Sequence, residues 1–281
     1  MMPIFLRTLR RNLWTMIGWG VGLGLLSAYT ILLFDAIVEQ QAQLMQLMAS
    51  YPSELLSIFG DMSKIYTPEG YLTYAYFSYM PLILGFAALL GAAGLIAADE
   101  ENGTLDLLLS YPVSRSGFFW GRVLGFLAVY AVILMIIWAG FAAFINQTQM
   151  DLSAGELFLP FISLFAVLVF FMGVSLLLSV LVPSRAAAGT ICSLLLVGSF
   201  LIEALARMDK RVGNLVHFSP LHYFQAGEAV NGLDFKWLGI LLGFGLALIL
   251  CAWGFFVRKD IRTGGEGSWS MALRRKAKPV P

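Results

Sequence analysis

A chain of 281 residues that is 59% hydrophobic and only 12% charged has too little polar surface to cover a soluble globule, so an integral membrane protein is expected. The net charge of +1 says little about partners, because in a membrane protein the placement of Lys and Arg carries the information and the sum does not. Cys192 and Cys251 both lie in apolar stretches, which fits small buried hydrophobes and not a disulfide framework.

The chain opens on "PIFLRTLRRNLW", where apolar and basic residues alternate at helical spacing. This fits either a short helix lying in the inner membrane interface or a basic flank that orients the first span. The apolar run that follows is too long for a secretory signal and ends in no small-residue cleavage pattern, so it is expected to stay attached. A bilayer core of about 30 Å needs about 20 helical residues, and six uncharged runs near or above that length occur, at 13–34, 71–98, 123–145, 157–182, 186–202 and 237–257. None alternates apolar with polar residues as barrel strands do, so the fold class is all-α, a polytopic membrane protein with six transmembrane helices. Six spans put both termini on one side. With the amino terminus cytoplasmic, thirteen of the 18 Lys and Arg residues fall inside and five outside, seven of the inner ones in or beside the basic tail at 258–281.

Between the first two spans, "QQAQLMQLMASYPSELLSIFG" has apolar residues at helical spacing and Pro52 as a break, which predicts one or two short helices on the outer surface. The second span opens with Tyr71, Tyr74, Tyr76 and Tyr79, residues of the kind that form an interfacial aromatic belt. Ser78 and Pro81 offer a second reading, in which the helix opens toward a central pathway and Tyr74, Ser78 and Tyr79 contact substrate. Next comes the polar insert of 99–122, "DEENGTLDLLLSYPVSR" and the residues after it. Thr104 can cap a short helix, Asp106 falls in its first turn, the leucines supply apolar faces and Pro112 stops it. On these features alone the insert is a lever for a soluble partner or a solvated connector.

The fifth run is short, and Glu203 follows it in an apolar setting. An acid there is either a functional group facing a cationic substrate or an interfacial residue paired with Arg207 one helical turn on. The returning segment "MDKRVGNLVHFSPLHYF" allows a re-entrant pair of helices. His217 and His222 are five apart around Ser219-Pro220, which matches neither a helical metal site nor a nucleophile arrangement, so they read as loop residues. The tail "RRKAK" suits anionic lipid, and without aromatic platforms beside it no nucleic-acid partner is expected.

The insert resembles the signature of type-2 ATP-binding-cassette (ABC) exporter permeases, whose first cytoplasmic loop carries acids, Gly-Thr-Leu-Glu, leucines, a Pro and Ser-Arg. Gly103, Thr104, Leu105, Leu108, Pro112, Ser114 and Arg115 stand in register with that pattern, as does Glu101, while Asp99 and Asp106 replace the more usual Glu. "SRAAAG" from Ser184, "FSPLHYF" from Phe218 and "VRKDI" from Val257 extend the likeness along the chain. The resemblance implies a single permease domain over 1–281 in the plasma (inner) membrane, pairing with a second permease, identical or homologous, and with an ATP-binding subunit. It implies a short cytoplasmic coupling helix between the second and third spans, with Asp99, Glu100, Glu101, Gly103, Thr104, Leu107, Leu108, Pro112 and Arg115 meeting that subunit. No G-x-x-x-x-G-K-[ST] occurs, so this chain is expected to be no enzyme and to bind no cofactor itself, with ATP and Mg on the partner. The alternatives are a non-transporting scaffold or sensor using the same partner, and a membrane-embedded enzyme.

Overall fold

A computed structural model of the protein describes residues 1–43, 46, 62–102, 114–182, 184–208 and 213–258. Among these residues the chain is helical and contains no strand. We label α1 (Met2–Arg11), α2 (Leu13–Leu32), α3 (Phe34–Glu39), α4 (Pro68–Leu72), α5 (Met80–Ala93), α6 (Ala97–Glu101), α7 (Arg115–Phe144), α8 (Leu159–Leu181), α9 (Arg185–Met208), α10 (Gly213–Val216) and α11 (Phe235–Arg258). Five described helices are long and apolar enough to cross a membrane, and a sixth span is completed if the bent pair Pro68–Phe77 and Met80–Ala93 counts as one.

The amphipathic opening forms a helix of its own. Asn12 leaves helical geometry, and its side-chain amide donates to the Thr8 carbonyl at 2.8 Å, separating α1 from α2. The apolar side of α1 lies on α7, where Gly121 and Gly125 let Ile4 and Thr8 approach closely, and Arg7, Arg10 and Arg11 stay exposed. Small residues also let α2 meet α7. A Cβ on Gly140 would collide with the Gly24 carbonyl and the Ser27 hydroxyl, and that hydroxyl donates to Ile137 O at 2.9 Å. On the other side of the bundle Gly173 of α8 faces Gly245 of α11, where an added Cβ would stand 2.6 Å from the Gly245 carbonyl. In the most apolar window of α8, 67% of residues are buried, against 28% for α9 and α11, so α8 is the central helix.

The second span differs from a continuous helix over 71–98. Residues Thr73–Phe77 form a π turn in which the Ser78 N–H bonds the Thr73 carbonyl at 2.8 Å, and Pro81 lacks the N–H that a regular helix would give to the carbonyl of Phe77. The axis bends by 41° at this break. Tyr71 and Tyr76 do not form an interfacial belt: both are buried, and their hydroxyls donate to Thr30 O at 2.6 Å and Leu23 O at 3.0 Å of α2. Burying a tyrosine requires a partner for its O–H, and the α2 carbonyls supply it. Tyr76 and Phe77 join Phe141 and Phe161 in an aromatic core, with edge-on rings 4.9 Å (Tyr76 and Phe141) and 5.2 Å (Phe77 and Phe161) apart.

The fifth span is longer than its uncharged run, because α9 continues through Glu203 to Met208. The third starts earlier, at Arg115, and so takes in Arg122. Cys192 is buried as expected, whereas Cys251 lies on an exposed face of α11. Much of the segment expected to form one or two short outer helices between the first two spans lies outside the described residues. The part that is described comprises α3, a 3-10 turn at Met62–Tyr66 and α4, which Thr67 caps by accepting the Gly70 N–H at 3.3 Å. After α10 the chain folds back in 3-10 turns at Pro220–Tyr223 and Gly227–Asn231. Gly227 is required by close approach: its N–H bonds the Thr73 hydroxyl at 3.1 Å, and a Cβ there would stand 2.6 Å from the Thr73 nitrogen. Gln225 secures the same stretch through its N–H to the Ser163 hydroxyl at 3.0 Å and a two-way exchange with the Asp234 backbone.

Candidate functional site

Two regions gather the polar chemistry. The first surrounds the insert. Gly103, Thr104, Leu107, Leu108 and Pro112 lie outside the described residues, but both flanks are described. Asp99 and Glu101 sit on α6, as does the backbone of Glu100. Asp99 forms an ion pair with Arg122, a guanidinium that also donates to the Leu95 carbonyl and lies 4.4 Å from the centre of the Phe118 ring. Arg122 is only 8% exposed, so its charge is compensated inside the protein by one carboxylate, one carbonyl and one aromatic face. Glu101 accepts the backbone N–H of Arg185 at 2.6 Å and so caps the amino-terminal end of α9, where a carboxylate meets unpaired N–H groups and the positive end of the helix dipole.

On the far flank the Ser114 hydroxyl accepts the Gly117 N–H at 3.0 Å and caps α7. Arg115 donates to Val257 O at 3.3 Å, and the Trp253 indole donates to the Ser116 hydroxyl at 3.1 Å, both binding α7 to the end of α11. The two ends of the insert are therefore tied to α7, α9 and α11. Arg122 and Arg185 were not among the residues singled out in the sequence. For Arg122 the legible signal was a lone charge at the mouth of an apolar run, which must find a partner when the helix enters the bundle.

The second region is a cleft of about 490 Å³ bounded by the π turn, α5, α9 and the 3-10 turns. Tyr74, Ser78, Tyr79 and Glu203 all line it, together with Phe200, His222 and Phe224. The Ser78 hydroxyl donates to Thr73 O at 2.7 Å, so its proton is committed to the backbone and not offered to a base. Glu203 Oε1 stands 3.8 Å from His222 Nδ1. His222 also packs edge-on against His217, with ring centres 5.0 Å apart, and tilts over Trp237 at 5.2 Å. Burial, and then the neighbouring His217, push the His222 pKa below the ordinary imidazole value despite the nearby carboxylate.

The same helices serve both regions. The second span starts at the cleft and ends, through α5 and α6, at Asp99 and Glu101, while α9 starts at the Glu101 cap and reaches the cleft at Phe200 and Glu203. From Arg185 to Glu203 an α-helix rises about 27 Å, close to the thickness of a bilayer core.

The family model described as ABC-2 family transporter protein matches residues 10–260. The chain belongs to the ABC-2 transporter family. It is a multi-span, membrane-embedded permease of an ABC transporter, a family that is typically non-catalytic and generally works with an ATP-binding subunit. No curated protein matches the permease in sequence.

Proposed function

We propose that the permease is the membrane subunit of an ABC exporter that moves a small amphipathic molecule, such as a drug, an antibiotic or a peptide, outward through a pathway that includes the Tyr74 and Glu203 cleft. ATP and Mg are held and ATP is hydrolysed on a separate nucleotide-binding subunit. The permease works beside a second copy or a homologous permease in the plasma membrane, with both termini cytoplasmic. The observation that carries this reading is the pair of helices α5 and α9: α5 runs on through α6 to the insert, α9 is capped beside the insert by Glu101, and both reach the cleft at their other ends. A displacement of the insert by the motor would shift these helices as rigid rods and be felt at the cleft, about 27 Å away by helical rise. The π turn with Pro81 supplies a place where the second span can flex. Exposed apolar faces, among them Trp14, Leu25 and Tyr29 on α2 and Leu194 and Leu201 on α9, are available to lipid and to a second permease.

The test is reconstitution into vesicles with a co-purified ATP-binding subunit and measurement of ATP hydrolysis and solute movement together. ATP-dependent movement of an amphipathic solute that falls when the cleft is blocked supports an exporter. Hydrolysis with no net movement of any solute would instead assign a scaffold or sensor that uses the same motor.

A further inference from the structure

We propose that the exposed basic side of α1 is a preformed docking surface for anionic phospholipid of the leaflet that the amino terminus faces, with the headgroup phosphates held by Arg7, Arg10 and Arg11. A helical repeat of about 100° per residue brings these three onto one arc of about 100°. All three are exposed, and among the described residues none of their guanidinium groups is held in an ion pair or a hydrogen bond. Met2 and Leu6, 67% and 47% exposed, border the arc on one side, and on the other Ile4 and Thr8 are pressed against Gly121 and Gly125 of α7. The helix therefore has three faces: one on protein, one apolar and open, one cationic. This surface lies apart from the cleft and is independent of the transported solute.

An open apolar face beside a cationic one fits a lipid surface better than an acidic protein or a nucleic acid, because lipid satisfies both, with acyl chains against Met2 and Leu6 and phosphates against the guanidinium groups. The depth agrees. Just past the break at Asn12, α2 exposes Leu13, Trp14 and Ile17, with Trp14 84% exposed. An exposed Trp at the end of a span marks the headgroup level, and Arg10 and Arg11 precede it by about one helical turn. No Asp or Glu occurs before Asp35, so neither α1 nor α2 carries an acid to offset the arc. A loose basic tail loses freedom when it settles on lipid, whereas three arginines on a helix packed against α7 are already gathered. Each basic residue near an anionic surface is worth about fivefold in affinity, so three give about a hundredfold over a neutral lipid at most.

The test uses the full-length permease in phosphatidylcholine nanodiscs, with a fluorophore on Leu6→Cys in a Cys251→Ser background, and reads its quenching by a small added fraction of nitroxide-labelled lipid. Nitroxide-labelled phosphatidylglycerol should quench at least about tenfold more effectively than nitroxide-labelled phosphatidylcholine. High salt should reduce that preference, since screening shortens the reach of exposed charges. Arg7→Gln, Arg10→Gln and Arg11→Gln together should bring the two lipids within about twofold, while Lys at the same three positions keeps most of the preference. The same fluorophore on Leu32→Cys, exposed at the other end of α2, should distinguish the two lipids by less than about twofold. Equal quenching by the two lipids at Leu6→Cys, or an equal preference at Leu32→Cys, overturns the site without any arginine variant, so a triple variant that inserts poorly would not leave the question open. A preference that survives the triple Gln change but disappears when Arg274, Arg275, Lys276 and Lys278 become Gln gives the lipid to the tail and overturns the assignment to α1. No lipid preference, together with loss of the co-purified ATP-binding subunit in the triple Gln variant, rejects lipid in favour of an acidic protein.

Discussion

Replacing Arg122 with Met tests whether the buried ion pair under the insert holds the transmission path together. The two side chains are 10% (Arg122) and 16% (Asp99) exposed, so removing the cation takes the charged partner away from a carboxylate that water reaches poorly. Breaking such a pair from one side costs about 3 to 5 kcal/mol, and here the loss includes the hydrogen bond to Leu95 O and the stacking on Phe118. Asp99→Asn should cost a similar amount by leaving the guanidinium uncompensated. The double variant should cost at least about 2 kcal/mol less than the sum of the two, because it buries no unpaired charge. The assay is unfolding in mixed micelles followed by tryptophan fluorescence, run as a double-mutant cycle. In the reconstituted complex the single variants should keep ATP hydrolysis and lose transport, since α6 would be cut loose from α7. An Arg122→Met protein within about 0.5 kcal/mol of the parent, or strictly additive variants, would show that the pair carries neither stability nor coupling.

Four further outcomes are expected. Gly140→Val should destabilise the permease by about 1 to 3 kcal/mol or more, because the new side chain meets the Gly24 carbonyl and the Ser27 hydroxyl, whereas Gly22→Val, which faces open space, should leave monomer stability unchanged in the same unfolding assay. Glu101→Ala should remove the cap of α9 at a cost of about 1 kcal/mol and should lower transport per ATP hydrolysed. His222 is faced by His217, Glu203, Tyr223 and Trp237, and its pKa is lowered on folding. The unfolded chain therefore binds more protons between the folded pKa and about 6.5, so stability is full above that pH and falls as the pH drops through the folded value; His222→Phe should flatten this part of a stability-against-pH curve. Cysteines placed at Ser116 and Ser57 should be labelled by impermeant reagents from opposite sides of the membrane, and labelling from one side would remove the six-span topology.

The spans were legible because apolar length is a direct consequence of bilayer thickness, and the helices run past the uncharged stretches where a charge interrupts a run without ending a helix. Glu203 closed the fifth run at Ile202, yet α9 continues through it because the carboxylate faces a cleft. Arg122 delayed the third run to Val123, yet α7 starts at Arg115 because Asp99 compensates the guanidinium. Tyr74, Ser78, Tyr79 and Glu203, named from sequence as pathway residues, line one cleft, although a distance of more than 120 positions in the chain hid their proximity. The π turn left no sequence trace, since Thr-Tyr-Ala-Tyr-Phe fits an ordinary helix equally well. The acids before Gly103 were read as contacts for a motor; Asp99 and Glu101 are bonded to this chain's own α7 and α9, partners that only the folded bundle brings near.

A π turn is equivalent to one extra residue inserted into an α-helix whose two flanks otherwise keep their phase. In the second span that surplus lies at Thr73–Phe77, between α4, whose Tyr71 is locked to α2, and α5, which runs on to the insert. Deleting Ala75 would remove the surplus residue, leaving only the gap at Pro81, without rotating Tyr71 or Leu84 off the faces they bury. The scaffold would be preserved and the cleft would lose the bulge that forms its wall. In this permease the shape of the compartment is thus specified by chain length as well as by side-chain identity, and a substitution at any one of the five positions would not reproduce that loss.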